Sequence, residues 1–92
     1  MKKKPILDIS YMPLRDQMAK SLRRFYQNAS GVMPLNNVYA LVMSEVELPL
    51  LEETMRLTEG NQTRAAEILG ISRSTLRQKL MKYRLITRNG FL

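Results

Sequence analysis

The chain has 92 residues, enough for one small domain, and a chain of this length buries only about two-thirds of the surface that its unfolded form exposes. It contains no cysteine and no histidine, which excludes disulfides, thiolate and imidazole metal ligands, and the general base that most enzymes use. Its 15 lysines and arginines against 8 acidic residues give a net charge of +7, which favours a polyanionic partner, nucleic acid before an anionic membrane surface.

The positive charge is concentrated near the carboxyl end. Residues 60–92 carry seven basic side chains and one acid, whereas residues 1–59 carry eight basic side chains and seven acids. A solvated surface accounts for most charged segments. An imbalance of seven to one nevertheless favours contact between this last segment and nucleic acid.

Residues 1–13 contain three lysines, two prolines and no helical period, which predicts a mobile or loosely structured arm. The apolar residues between Ile6 and Tyr11 leave a short strand as an alternative. The lysines resemble the start of a signal peptide, but no apolar run long enough to continue one follows them. No other apolar run approaches the roughly 20 residues of a membrane span, so we expect a soluble, cytoplasmic protein.

From Leu14 to Tyr26 the apolar residues recur at helical spacing, which predicts an amphipathic helix over about 14–28. A turn-rich stretch with a proline follows, and Asn36 or Asn37 can cap the next helix. The sequence therefore predicts a loop between two helices.

Residues 38–59 predict a second helix, about 33 Å long, whose apolar residues spread over most of its circumference. A helix that is apolar nearly all round is buried on more than one side, so we infer that a second copy of the chain covers it. Pro49 is expected to bend this helix, because it lacks the amide that would bond the Glu45 carbonyl. Two shorter helices broken at Leu48 are the alternative. Gly60 is predicted to end the helix as its left-handed cap.

The last third of the chain has the pattern of a helix-turn-helix. Asn61 can cap a helix of about 62–69, in which two alanines are small enough to let another helix approach closely. Gly70 permits a sharp turn, and Ser72 can cap a second helix of about 73–83.

The second helix of this motif has an apolar face and a polar, basic face. Leu76, Leu80 and Tyr83 fall on the inner face at about 100° per residue. Arg73 stands first on the helix and is the predicted base contact, because its planar fork matches the O6 and N7 acceptors of guanine. The other candidate DNA contacts are Asn61, Thr63, Ser74, Thr75, Arg77, Gln78, Lys79 and Lys82.

Phosphate contacts hold a protein in register on DNA, whereas base contacts read the sequence. Ser74 and Gln78 point outward, and Gln78 either reaches a base edge or is a plain surface residue. The candidates assigned to phosphates are Asn61, Thr63, Thr75, Arg77, Lys79 and Lys82.

A helical-bundle module that binds an acidic protein through the same cations is the alternative function. An enzyme is not expected, because the acidic residues lie mostly on the second helix, without a metal-ligand spacing or a partner base. We likewise expect no cofactor and no metal ion.

Several short motifs are informative as a set: Pro13-Leu14-Arg15-Asp16, Glu45-Val46-Glu47, Pro49-Leu50-Leu51, Gly60-Asn61-Gln62-Thr63-Arg64-Ala65-Ala66, Gly70-Ile71 and Thr75-Leu76-Arg77. Over about residues 13–83 the chain resembles the Fis family, bacterial nucleoid proteins named for stimulating DNA inversion. The helix-turn-helix alone also resembles that of NtrC-type enhancer-binding activators, which are much longer and carry an ATPase domain. Because the chain starts with methionine and has no phosphate-binding loop, the Fis family is the closer resemblance.

The resemblance implies an all-α fold, with four helices and a C-terminal helix-turn-helix in each subunit, intertwined as a homodimer through the first two helices. It implies recognition helices too close together for adjacent major grooves of straight DNA, so that the DNA bends and an A·T-rich central minor groove supplies part of the preference. The implied function is that of a nucleoid-associated transcriptional regulator that binds double-stranded DNA. RNA polymerase and a DNA recombinase are further candidate partners, and the arm that would touch a recombinase is short here.

Carried over by position, the resemblance makes Arg73 the base-contacting arginine. Gln78 stands where better-known members have lysine, and Ser72 replaces an asparagine. The supporting contacts are Asn61, Thr63, Thr75, Arg77 and Lys79. The expected parts are an arm (1–13), a dimerisation core (14–59), a DNA-binding helix-turn-helix (60–85) and a tail (86–92).

Overall fold

The computed structural model describes residues 13–29, 31 and 35–86. Within these ranges there are four helices and no strand: α1 (Leu14–Ala29), α2 (Val38–Leu57), α3 (Gln62–Leu69) and α4 (Arg73–Lys82). The all-α class and all four predicted helices are confirmed, and each predicted end lies within two residues of the observed one. Most of the predicted arm, with its alternative strand, and the predicted tail after Ile86 lie outside the described residues.

The first of two structural units ends at Asn36 and contains α1. The rings of Phe25 and Tyr26 meet edge to face, with their centroids 5.6 Å apart. Leu14, Met18 and Tyr26 are all exposed in the single chain. The apolar face predicted for this helix is therefore largely uncovered.

The second unit begins with α2, one continuous helix of 20 residues that passes through Pro49. The alternative of two helices broken at Leu48 is therefore wrong. Asn37 precedes the helix with a φ of 58°, and its side chain makes no capping hydrogen bond. Capping by a side chain requires an extended backbone at that residue, so the predicted asparagine cap is wrong. The first turn closes through the backbone alone, with Leu41 N–H donating to the Asn37 carbonyl at 3.1 Å.

α2 ends in a left-handed turn. Glu59 has a φ of 54°, and its N–H donates to the Arg56 carbonyl at 3.2 Å. The N–H of Gly60 donates to the Met55 carbonyl at 2.9 Å. These two bonds form a Schellman motif in which Glu59, one residue before the predicted Gly60, is the left-handed cap. The prediction of Gly60 as the cap is wrong, although Gly60 also has a positive φ, of 85°.

The two helices of the helix-turn-helix are capped as predicted. Asn61 Oδ1 accepts a hydrogen bond from Arg64 N–H at 3.0 Å, and Ser72 Oγ accepts one from Thr75 N–H at 3.1 Å. Gly70 lies between the helices with a φ of 73°. Each cap satisfies an amide that the first turn of a helix leaves without a partner, so α3 and α4 start at defined residues.

The apolar core of the second unit lies where α2, α3 and α4 meet. Ala65 and Ala66 of α3 are buried, and their small side chains let α4 approach closely. Leu76 and Leu80 of α4 are completely buried in the same cluster, as is Leu51 of α2 at 2% exposure. Full burial of each leucine contributes about 1.5–3 kcal/mol to folding.

The chain after α4 folds back onto this core. Arg84 has a φ of 59°, its N–H donates to the Met81 carbonyl at 3.0 Å, and Leu85 N–H donates to the Leu80 carbonyl at 2.8 Å. Ile86 is buried in the apolar cluster and Leu85 packs against it. The core therefore includes Ile86, the first residue of the predicted tail, a role that the sequence did not predict.

We predict that Arg84→Gly raises the free energy of unfolding by about 1 kcal/mol, because glycine adopts a positive φ without the penalty of roughly 1–2 kcal/mol that other residues incur. Urea unfolding followed by circular dichroism measures the change. Arg84→Ala is the matched control, since it removes the same charge and keeps the penalty. Equal stabilisation by both substitutions would show that the charge, and not the backbone, is responsible.

Candidate nucleic-acid interface

α4 turns its polar face to solvent. Leu76 and Leu80 point into the core, which confirms the predicted inner face of the helix. No acidic residue lies on α4. Of the predicted contacts on this helix, Arg73, Ser74, Gln78 and Lys82 are exposed and Thr75, Arg77 and Lys79 are half-buried.

Arg73 is the first residue of α4, and its side chain projects from the start of the helix. Among residues 13–29, 31 and 35–86, its guanidinium has no hydrogen-bond or ion-pair partner. All five N–H donors of the guanidinium therefore remain for a ligand.

A cluster of three hydroxyl groups surrounds the start of α4. Ser72 Oγ donates a hydrogen bond to Thr75 Oγ1 at 2.8 Å and lies 3.2 Å from Ser74 Oγ. The residue that caps the helix thus brings together two of the predicted contacts. Their hydroxyl groups are held beside the first turn, next to Arg73.

The predicted contacts on the preceding helix lie at its start. Asn61 and Thr63 are both exposed. The cap uses Asn61 Oδ1, which leaves the amide nitrogen with two donors for a ligand. Within the part of the chain that the structure describes, no hydrogen bond joins either residue to α4.

Lys79 is held by an acid from another helix. Its Nζ lies 2.5 Å from Oε2 of Glu47 on α2, and the hydroxyl of Tyr83 donates to Oε1 of the same carboxylate at 2.5 Å. The side chains of Lys79 and Glu47 are 34% and 26% exposed. Lys82 Nζ lies 5.2 Å from the centroid of the Tyr83 ring. The predicted phosphate contact Lys79 is therefore already paired within the chain, whereas Lys82 remains exposed.

These contacts change the acidity of both partners. The hydrogen bonds from Lys79 and then Tyr83 lower the pKa of Glu47 below its ordinary value of 4.5, against the opposing effect of burial. The hydrogen bond to Glu47 raises the pKa of Tyr83 above its ordinary value of 10.0. At neutral pH the pair is therefore a carboxylate and a phenol, the forms that make the hydrogen bond.

Sequence reasoning did not assign a role to Glu47 or to the hydroxyl of Tyr83. The available signal was the position of Glu47 along α2, four residues before Leu51 and seven before Thr54, which are the two buried residues of that helix. A lone acid on a buried stripe of a helix needs a partner. The lysines of α4 were the candidates for that partner.

The arrangement of α2, α3 and α4 matches a known family. The model of the family described as bacterial regulatory protein, Fis family, matches residues 42–83. DNA-binding protein Fis of Proteus mirabilis (strain HI4320) is 47% identical over 75 residues, which are 82% of this chain and 76% of that protein. The proteins of the same name from Sodalis glossinidius (strain morsitans) and Escherichia coli O1:K1 / APEC have the same identity and coverage. The chain belongs to the Fis family.

Membership in this family confirms the resemblance inferred from the sequence motifs. The Fis family consists of regulatory proteins, so the expectation that the chain is not an enzyme is also confirmed. In the described ranges, no helix combines the length and apolar character that crossing a bilayer requires.

The lowered pKa of Glu47 predicts an acid-dependent loss of stability. The contribution of Glu47 is present above its unfolded pKa, near 4.5, and is lost as the pH falls through the lower folded value. We therefore expect Glu47→Gln to be less stable than the wild type at pH 6, and the difference to shrink between about pH 4.5 and pH 2. Urea midpoints measured across this range test it.

Glu45→Gln is the matched control, because Glu45 lies on the same helix, is exposed, and has no side-chain partner among the described residues. Its stability should follow the wild type at every pH. A Glu47→Gln deficit that stays constant down to pH 2 would contradict the ionic role of this carboxylate.

Proposed function

We propose that the protein is a homodimeric, nucleoid-associated DNA-binding protein that bends DNA and regulates transcription. The observation that carries the proposal is the solvent-facing, acid-free side of α4, with Arg73 unpaired at its first residue. Relatives that are 47% identical bear the name DNA-binding protein Fis, which supports the same ligand for this chain. The alternative of a module for an acidic protein partner receives no support from these relatives.

The contacts to DNA divide into reading and holding. Arg73 enters the major groove first and reads a guanine, with Ser74 and Gln78 on the same exposed face. Asn61 and Thr63 at the start of α3 meet the phosphate backbone, because the first amides of a helix and its positive end favour an anion there. The phosphate contacts on α4 are Thr75, Arg77 and Lys82.

A second copy of the chain covers the apolar surface of α1 and α2. On α2, Tyr39, Met43, Leu50 and Leu57 lie within about 40° of one another around the helix axis. Their exposures are 79%, 46%, 50% and 71% in the single chain. Such a stripe next to the face that carries Leu51 is more apolar surface than a helix normally leaves to water, which supports a dimer.

The dimer sets two copies of α4 against one duplex. Family membership supports recognition helices that require the DNA to bend, so that deformability adds to the sequence preference. We place the protein in the cytoplasm, on the bacterial chromosome, with RNA polymerase or a DNA recombinase as further candidate partners.

We predict that Arg73→Ala weakens binding to a specific duplex by about 1–3 kcal/mol, or roughly 5- to 150-fold, and relaxes the preference at one guanine. Gel shifts with the specific duplex and with a variant carrying adenine at that position measure both effects. Arg56→Ala is the control, since Arg56 is an exposed arginine on α2 that pairs with Glu53. Equal losses from the two substitutions would remove α4 from the interface.

The binding of the wild type should also weaken steeply with salt, by a slope of about −0.9 per phosphate neutralised. Affinity that is independent of salt would overturn the proposed function. If heparin of matched charge competed as well as long duplex DNA, the alternative module for an acidic partner would be favoured.

Sedimentation equilibrium should give a wild-type mass of twice 10.7 kDa. Leu50→Glu should shift the protein towards the monomer, because it puts a charge in the middle of the covered stripe. Leu50→Met keeps the site apolar and should remain dimeric. A folded wild-type monomer at micromolar concentration would refute the dimer.

A further inference from the structure

The carboxylate of Glu47 joins the helix that bears the proposed dimer surface to the helix that bears the proposed DNA contacts. Each of its two oxygens has a separate partner on α4, Lys79 Nζ at Oε2 and the Tyr83 hydroxyl at Oε1, both at 2.5 Å. Lys79 and Tyr83 are four residues apart and therefore lie on one face of α4. Two bonds from one carboxylate to two successive turns fix the rotation of a helix as well as its position.

The charges around Glu47 make Lys79 a poor phosphate ligand. A phosphate that approached the Lys79 ammonium group would meet the Glu47 carboxylate 2.5 Å away from it. Like charges repel at such distances, and drawing Lys79 away would leave the partly buried carboxylate with Tyr83 alone. Lys82 has no such acid, since its ammonium group lies over the Tyr83 ring.

From these contacts we infer that Glu47 is a positioning residue of DNA recognition: it holds Lys79 away from phosphate and fixes the orientation of α4 on α2. The inference rests on the proposed function. Arg73 and Tyr83 are about 15 Å apart along α4, so a change of tilt at the Tyr83 end moves Arg73 by several ångströms. In a dimer built on α2, this orientation sets the separation of the two Arg73 side chains that meet one duplex.

The salt dependence of DNA binding separates a positioning role from a direct contact, because its slope counts the phosphates neutralised. Lys79→Met should leave the slope of the logarithm of affinity against the logarithm of salt unchanged. Lys82→Met, the same substitution at the exposed lysine, should reduce its magnitude by about 0.9. Circular dichroism at the assay temperature establishes that each variant is folded.

Glu47→Gln completes the test. It releases Lys79, so the slope should become steeper by about 0.9 on random-sequence duplex, and the ratio of specific to non-specific affinity should fall. In the Lys79→Met background, Glu47→Gln should no longer steepen the slope. A merely structural role for Glu47 would lower stability and leave the slope the same in both backgrounds, and that result overturns the inference.

A measurement on the wild type keeps the inference testable if a variant does not fold. The nitrogen-15 signal of the Lys79 ammonium group should stay in place when duplex DNA is added, whereas that of Lys82 should shift. A Lys79 signal that shifts as much as Lys82, or a slope reduced by about 0.9 in Lys79→Met, makes Lys79 a phosphate contact and ends the inference alone. Absence of salt-dependent binding by the wild type removes the proposed function as well.

Discussion

Burial of Leu76 and Leu80 against α3 and α2 is the contact on which the second structural unit depends. Both side chains are completely buried, and the alanines of α3 that receive them are small enough for the two helix backbones to come close. Because the two leucines are four residues apart, they fix which side of α4 faces inward. The polar residues between them are therefore directed to solvent. One apolar contact thus determines both the fold of the unit and the surface it offers to a ligand.

Apolar packing alone leaves a helix some freedom to slide and rotate, because hydrophobic contacts have no preferred direction. The polar contacts of α4 remove this freedom at both ends. Ser72 caps the start of the helix through Thr75 N–H, and the carboxylate of Glu47 holds the last turns. A side chain at the exposed surface of such a helix is presented in a defined place, which recognition of a base edge requires.

The sequence predicted the features that depend on local spacing and failed at those that depend on distant partners. The helices, the caps at Asn61 and Ser72 and the turn at Gly70 follow from neighbouring residues, and the structure confirms them. The pairing of Glu47 with Lys79 joins residues 32 positions apart, and no period in the sequence encodes it. At the helix ends, residue type was a poor guide, because the hydrogen-bond pattern of the turn placed Glu59 and Arg84 in the left-handed conformation. Burial of Ile86 was missed for the same reason, since it depends on how the chain turns after α4.

The dual use of α2 limits how the DNA-binding motif can be separated from the rest of the protein. Leu51 completes the core of the helix-turn-helix, while other residues of the same helix form the uncovered stripe. A fragment that began at Gly60 would lose Leu51 and open the leucines of α4 to water. The smallest transplantable piece therefore starts at α2 and brings the association surface with it. For this architecture, a hybrid regulator made by domain exchange inherits its oligomeric state together with its reading head.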